Sequence, residues 1–391
     1  MFSSRIPSDL RPNRLTLALE AKRRSGGEIL DLTLSNPTRA AFPYPAGILR
    51  AFEDQRLLQY EPDPAGMREA RAAVARYYAR RGMMVEAERI LLTASTSEGY
   101  AYLFKLLTNP GDHVLAPRPS YPLFELLAGM ESITARFYPL SYHGKWMIDV
   151  EALASAISGR TRAIILVNPN NPTGSFLKRD ELDCLVRLAT EHRIALISDE
   201  VFADYAFGPD PERINSLAGI ETGLAFALSG LSKIAGLPQM KLGWIVAAGA
   251  ADARRHALER LEWIADTYLS VGTPVQCAAS RLLDAGESVQ SEIRARTSAN
   301  LRLLRQAMEG TSASVLTAEG GWYAVLQVPR VRTDEQWSLD LLDNYNVLIQ
   351  PGFFYDFDSE AFLVLSLLTP SPVLEEGLAR IRRHLISSGC P

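Results

Sequence analysis

Lys233 lies in the run Ala227-Leu228-Ser229-Gly230-Leu231-Ser232-Lys233-Ile234-Ala235-Gly236, among apolar and small residues. A lysine in such a setting loses hydration, its pKa falls, and the free amine becomes a better nucleophile. Taken alone, a solvated surface lysine is the plain alternative. The run continues to Lys241-Leu242-Gly243. Upstream, Ser198-Asp199-Glu200 places acids directly after the apolar Ile194–Ile197. Acids there are costly unless a cation or hydrogen-bond donors receive them; a helix cap is the other reading. The stretch Asn168-Pro169-Asn170-Asn171-Pro172-Thr173-Gly174 is a turn by its Pro and Gly, but a turn alone does not call for so many amides. Finally, Ala94-Ser95-Thr96-Ser97 leads into a helical run. Hydroxyl residues at a helix start offer free N–H groups and side-chain donors to an anion. They equally supply an ordinary N-cap.

The elements around these residues alternate. Short apolar runs at 89–93, 113–116, 133–138, 162–167 and 194–198 read as strands, and the stretches at 97–107, 121–130, 151–157 and 179–192 read as helices. Strands apolar on both faces and separated by helices predict a parallel sheet covered on both sides, doubly wound by right-handed crossovers. In such a sheet ligands bind beyond the carboxyl ends of the strands, where the four groups above fall. Past about residue 250 the pattern changes. Helices are expected at 250–265 and 276–309, with Thr273-Pro274 as a break. Strands return at 322–327, 347–349 and 362–367, before a closing helix at 373–387. This predicts a smaller α+β unit, and the weakly patterned first forty residues are expected to pack on it.

Composition narrows the class. The 391 residues are enough for two to three compact units or one large α/β enzyme. With 47% hydrophobic and 22% charged residues, the chain is neither disordered nor a disulfide scaffold. A formal charge of −4 gives no electrostatic reason to expect nucleic acid. Cys184, Cys277 and Cys390 are widely spaced, which points to a reducing compartment without a thiolate zinc site. No secretory signal and no apolar stretch of about 18 residues is seen, so a soluble, cytoplasmic protein without membrane contact is expected. The five histidines show no metal spacing.

Together these pieces resemble the class I/II aminotransferases of the pyridoxal-phosphate fold type I superfamily. The resemblance runs from about Leu32 to the last helix. Its most specific parts are Asn171-Pro172-Thr173-Gly174, Ser198-Asp199-Glu200, and Ser232-Lys233 with Lys241 eight positions on. It implies a large, mostly parallel sheet domain over residues 45–285 and a small domain of 1–44 with 286–391. It implies pyridoxal 5'-phosphate as cofactor, no metal, and an amino donor and an oxo acid as substrates. Lys233 matches the lysine that holds the cofactor as an imine and later shuttles the substrate proton. Asp199 matches the acid paired with the pyridine nitrogen, whose charge keeps the ring an electron sink. Asn171 matches the amide at the ring oxygen O3', and Tyr121 the aromatic stacked on the ring. Ser95, Thr96 and Ser97 match the phosphate-holding helix start, with Ser232 and Lys241 completing the cup. Tyr60 matches a tyrosine that reaches the phosphate of a neighbouring subunit, so a homodimer with shared active sites is implied.

Four positions depart from the family pattern. Lys241 stands where arginine is usual, keeping the charge but losing the bidentate fork. Phe202 stands where a tyrosine would donate to O3', so a raised imine pKa is expected unless Tyr205 or another group supplies the bond. Gly230 replaces a phosphate-binding Ser or Thr. Val364, in Ala361-Phe362-Leu363-Val364-Leu365-Ser366, occupies the place of the arginine that clamps the substrate carboxylate. Either another base binds the carboxylate or the substrate has none there. Arg39, on the loop that in the family lies over the substrate, is the candidate replacement, ahead of Arg118 and Lys145. Ser35 on the same loop, and Trp322 after Gly320-Gly321, are the further substrate candidates; core packing is the alternative for Trp322. The leading expectation is a transaminase. A lyase or decarboxylase of the same fold is the alternative, since loss of the clamp loosens control over which bond at Cα breaks.

Overall fold

The computed structural model describes residues 3–7 and 9–387; Met1, Phe2 and Cys390 lie outside the described residues. An eight-stranded sheet forms the frame. Its strands run in the order Ile90–Thr93, Gly243–Gly249, Leu224–Gly230, Ala195–Asp199, Thr161–Val167, His113–Arg118, Thr134–Tyr142 and Trp146–Ile148. The five strands from Leu224–Gly230 to Thr134–Tyr142 pair in parallel. Gly243–Gly249 runs antiparallel to both its neighbours. The interior strands bury alternate residues on opposite faces: Ile164 and Leu166 enter one apolar cluster, Ala163 and Ile165 another. That two-sided burial is why they read as continuous apolar runs.

Two sequence expectations shift. The helix expected over 121–130 begins only at Phe124, so Tyr121 sits in the turn before it. Thr273 and Pro274 do not break a helix but open one, Thr273–Met308, because proline is tolerated in a first turn where its missing N–H has no partner. The break falls earlier, between Tyr268 and Thr273.

The four-stranded antiparallel sheet of the C-terminal part runs Ser314–Val315, Tyr323–Gln327, Phe362–Ser366, Gln350–Pro351. Residues 14–31 pack beside it, whereas Arg5 hydrogen-bonds Ser132, just before the large-sheet strand Thr134–Tyr142. Helix Arg14–Arg24, capped by the Asn13 side chain, buries Leu15 against Leu342 and Leu348. Leu30–Asp31 pairs with Val347–Leu348. No helix among the described residues is long and apolar enough to cross a membrane.

Candidate active site

Register brings one corner of the large sheet together. Thr93 and Gly230, the ends of two strands, both pair with Gly243, the start of a third. Because that third strand is antiparallel, its amino end meets the carboxyl ends of its neighbours. Ser95–Ser97, Ser232 and Lys241, separated by up to 146 positions in the chain, therefore flank a single edge. Gly243 permits the approach: a Cβ there would lie 3.0 Å from the Ser95 carbonyl carbon and 3.1 Å from Thr93 Oγ1. The Ser95 hydroxyl accepts the Glu98 N–H at 3.2 Å and caps helix Thr96–Leu107. The N-cap reading of this segment is therefore met by the Ser95 side chain, while the first-turn N–H groups have no partner within the helix. Lys241 is exposed, in a left-handed conformation that closes the turn Pro238–Met240. At Gly230 a Cβ would fall 2.8 Å from the Leu242 carbonyl oxygen and 2.9 Å from Gly243 Cα. A side chain has no room on that face, which explains why this chain has glycine where a hydroxyl residue was expected.

Lys233 sits in the short helix Leu231–Ile234 that follows the strand Leu224–Gly230. Its Nζ lies 5.2 Å from the Trp322 ring centroid and 5.7 Å from that of Phe202. Burial lowers its pKa, against the pull of the Asp199 charge. The Lys233 main chain is fixed by Tyr205, whose hydroxyl donates to the Lys233 carbonyl at 2.5 Å. That bond commits the Tyr205 proton to the backbone, so Tyr205 does not take the role of the hydroxyl missing at Phe202.

Asp199 ends its strand as expected. Burial pushes its carboxyl up to about 6. The Val201 N–H (3.2 Å), the Tyr100 hydroxyl (3.4 Å) and the Lys233 charge oppose that rise. A cationic partner would add to their effect. Its neighbour Glu200 is instead a structural acid, bonded by the Ser216 hydroxyl at 2.5 Å and the Leu217 N–H at 2.7 Å.

The three amides of the 168–174 turn separate by role. Asn168 bonds the Ile214 carbonyl and the Leu177 N–H. Asn170 bonds the Pro119 carbonyl, Thr173 and Ser120. The Asn171 carbonyl oxygen is buried without a hydrogen-bond partner. Two amides thus build the turn, and the third is left for something else.

Tyr121 follows Ser120, which ties this turn to Asn170 and to the Tyr355 carbonyl. Half of Tyr121 is exposed. Trp322 is fully buried, edge-on to Phe202 and Tyr205 at 5.2 Å each. It is held by a loop pinned to the large sheet's turns: the Glu319 and Gly320 N–H groups donate to Gly174 O, and the Gly321 N–H to Tyr205 O. Lys178 binds Glu319 and Asp210 at 2.6 Å each in the same place. Ser35 is exposed beside the Tyr323 phenol. Arg39 is exposed at the end of the turn Pro37–Arg39. Tyr60 is 76% exposed, on a segment tied by the Leu92 N–H to the Ala65 carbonyl at 2.9 Å.

Sequence reasoning missed Tyr100, Tyr323, Tyr355 and Gln350. Tyr100 follows Ser97 by three positions on one helix, a spacing that could have flagged it only once the strand order was known. The other three need the small sheet's register.

Comparison with known proteins follows from this geometry. The family model described as "Aminotransferase class I and II" matches residues 28–381. Glutamate-pyruvate aminotransferase AlaA of Escherichia coli is 30% identical over 70% of this chain and 68% of its own. Alanine aminotransferase of Mycobacterium tuberculosis is 29% identical over 93% of this chain and 86% of its own. A crystal structure of an Escherichia coli aminotransferase superposes with a TM-score of 0.87 at 25% identity, covering 99% of this chain and 98% of that one.

Proposed function

The chain belongs to the class I and II aminotransferase family, and from that premise we propose how its site works. It is an aminotransferase of α/β, fold type I architecture, moving an amino group between an amino compound and an oxo acid. The cofactor is pyridoxal 5'-phosphate. The residues fit it: a depressed lysine amine, a buried carboxylate short of a cation, a side-chain amide at Asn171 that the turn does not consume, and a helix start beside hydroxyls and a lysine. When bound, the cofactor supplies an electron sink and the carbon that carries the amino group between substrates.

Lys233 would hold the cofactor through Nζ and, once a substrate amine has displaced it, would move the substrate proton with that freed amine, whose pKa burial lowers. Asp199 would receive the pyridine nitrogen, and its charge would favour the protonated form of that nitrogen. Asn171 would donate its side-chain N–H to O3', and Tyr121 would cover the ring. Thr96 and Ser97 N–H groups, the hydroxyls of Ser95, Ser97 and Ser232, and the Lys241 charge hold the phosphate. Tyr60 reaches the phosphate of a partner subunit in a homodimer. Its exposure with Leu269, on a rim that also lines a hollow with Tyr102 and Gln276, supports a surface that a second copy covers. Arg39 binds the carboxylate of the oxo acid, with Ser35 and Trp322 bordering it. The same reading divides the chain at 45–285 against 1–44 with 286–391, although helix Thr273–Met308 runs unbroken past residue 286. Unpaired Cys184 and Cys277 suit a reducing, cytoplasmic setting.

The observation that carries the reading is the Lys233 amine held by burial beside the half-satisfied Asp199. Purified protein given pyridoxal phosphate should acquire the visible absorbance of a lysine-bound cofactor, and Lys233→Ala should not. No such band in the native protein, or an unchanged band in the variant, overturns it. The buried Val364 in place of a cation favours one second reading, a lyase or decarboxylase, which would release ammonia or carbon dioxide rather than consume an oxo acid.

A further inference from the structure

The small sheet presents one face to Lys233 and the other to its own helices. Residues paired directly across an antiparallel ladder point the same way. Val364 pairs with Val325 on one side and with Gln350 on the other, and Tyr323 pairs with Ser366. Val364, Val325, Tyr323 and Phe362 pack in the cluster that contains Phe202 and Trp322. The intervening Leu363, Leu365, Ala324 and Leu326 pack in a separate cluster against the helices. Val364 therefore faces the reactive lysine's ring cage.

This face carries no charged residue. Its polar groups are neutral, and they are organised. The Tyr355 hydroxyl donates to Gln350 Oε1 at 2.5 Å, which holds the amide and leaves its two N–H donors uncommitted to that bond. The Tyr355 ring is buried and stands 6.3 Å from Tyr323, which in turn stands 6.3 Å from Phe202. Of the neighbouring cations, Arg296 lies over Phe42 and donates to the Ala40 and Leu368 carbonyls, and Arg118 lies over Phe137 with its Nη2 3.9 Å from Asp356 and its buried Nε without a hydrogen-bond partner. A carboxylate pressed on this wall would lose its hydration without a charged residue of the wall itself to receive it. An uncharged carbonyl or hydroxyl would gain the amide donors at small desolvation cost.

We propose that Gln350, held by Tyr355 on the face that includes Val364, is a specificity-determining residue that selects an amino donor whose group at this wall is an uncharged hydrogen-bonding group rather than a carboxylate. This rests on the transaminase reading and names its donor class: amino amides and amino alcohols. Arg39, on the exposed loop, is left to serve the oxo-acid half of the cycle.

The test uses the holoenzyme and three donors that differ only at that group: L-alanine, L-alaninamide and L-alaninol. The half-reaction is followed as loss of the cofactor's visible band without acceptor. Expected is a kcat/KM at least tenfold higher for alaninamide or alaninol than for alanine. Gln350→Leu and Tyr355→Phe should each remove most of that preference while leaving the resting spectrum unchanged, and Val364→Arg should reverse it. As a binding readout, 2-methylalaninamide, which has no α-proton to lose, should bind the native holoenzyme more tightly than 2-methylalanine. Equal or better use of alanine, or a preference unmoved by Gln350→Leu, overturns the inference and leaves the transaminase reading standing. Absence of any visible cofactor band, or a band that no donor discharges, overturns the parent reading and this inference with it.

Discussion

At the scale of single residues, the site is a set of groups whose ordinary partners are missing. Asn171 has a buried oxygen with nothing to accept from, Asp199 is lifted by burial to about 6, and Lys233 is lowered by the same burial. Each departure is a cost to the folded chain that a bound ligand can offset. Arg39 is the residue we propose for the oxo-acid half. Replacing it with alanine removes a charge-assisted bond, which is about 1.5–3 kcal/mol, or roughly ten- to hundredfold in binding. Steady-state kinetics should show KM for the oxo acid rising by about that factor, with cofactor affinity and resting spectrum unchanged. A KM within twofold of the native value would remove Arg39 from the site.

Among elements, what matters is which strand ends and helix starts coincide. The antiparallel strand Gly243–Gly249 carries Lys241 to the edge where the Thr93 and Gly230 strands end, and small residues keep that corner tight. Helix Thr273–Met308 supports the lysine segment from behind. It crosses Ala235 at Gly286, where an added Cβ would overlap the Ala235 Cβ and lie 2.9 Å from its Cα. Gly286→Ala should therefore force the helix and the lysine segment apart, at about 1–3 kcal/mol of overpacking. Expected are a lowered midpoint in thermal unfolding and a weakened affinity for pyridoxal phosphate, measured by absorbance titration. An unchanged midpoint would mean that the crossing relaxes freely and does not brace Lys233.

For the molecule as a whole, the decisive question is whether one chain makes a complete site. Tyr60 is exposed on a rim with Leu269. If it serves a partner's phosphate, defects in Tyr60 and Lys233 should complement in mixed dimers. Lys233→Ala dimers should be inactive and Tyr60→Ala dimers weakened. A refolded mixture should regain activity, because each heterodimer holds one site with both native residues. No gain over the Tyr60→Ala protein alone would show that each chain builds its site unaided.

Much of this was legible in the chain itself. The alternation of apolar runs with amphipathic stretches dictated a covered parallel sheet, since period and burial are local properties of the backbone and its side chains. The chemical groups at Lys233, Asp199 and Asn171 were visible because each sits at the end of a strand or within four residues of it, and strand ends are readable from pattern. Four things were decided only by packing. Of the three amides in one turn, the fold consumes two in bonding the Ile214 and Pro119 carbonyls. The face to which Val364 points depends on its pairing with Val325 and Gln350. The Tyr205 hydroxyl is spent on the Lys233 carbonyl. Gly230 has no space for a side chain because Leu242 and Gly243 lie against it. Register and close approach join residues far apart in sequence, and no local pattern of residue types encodes which of them will meet.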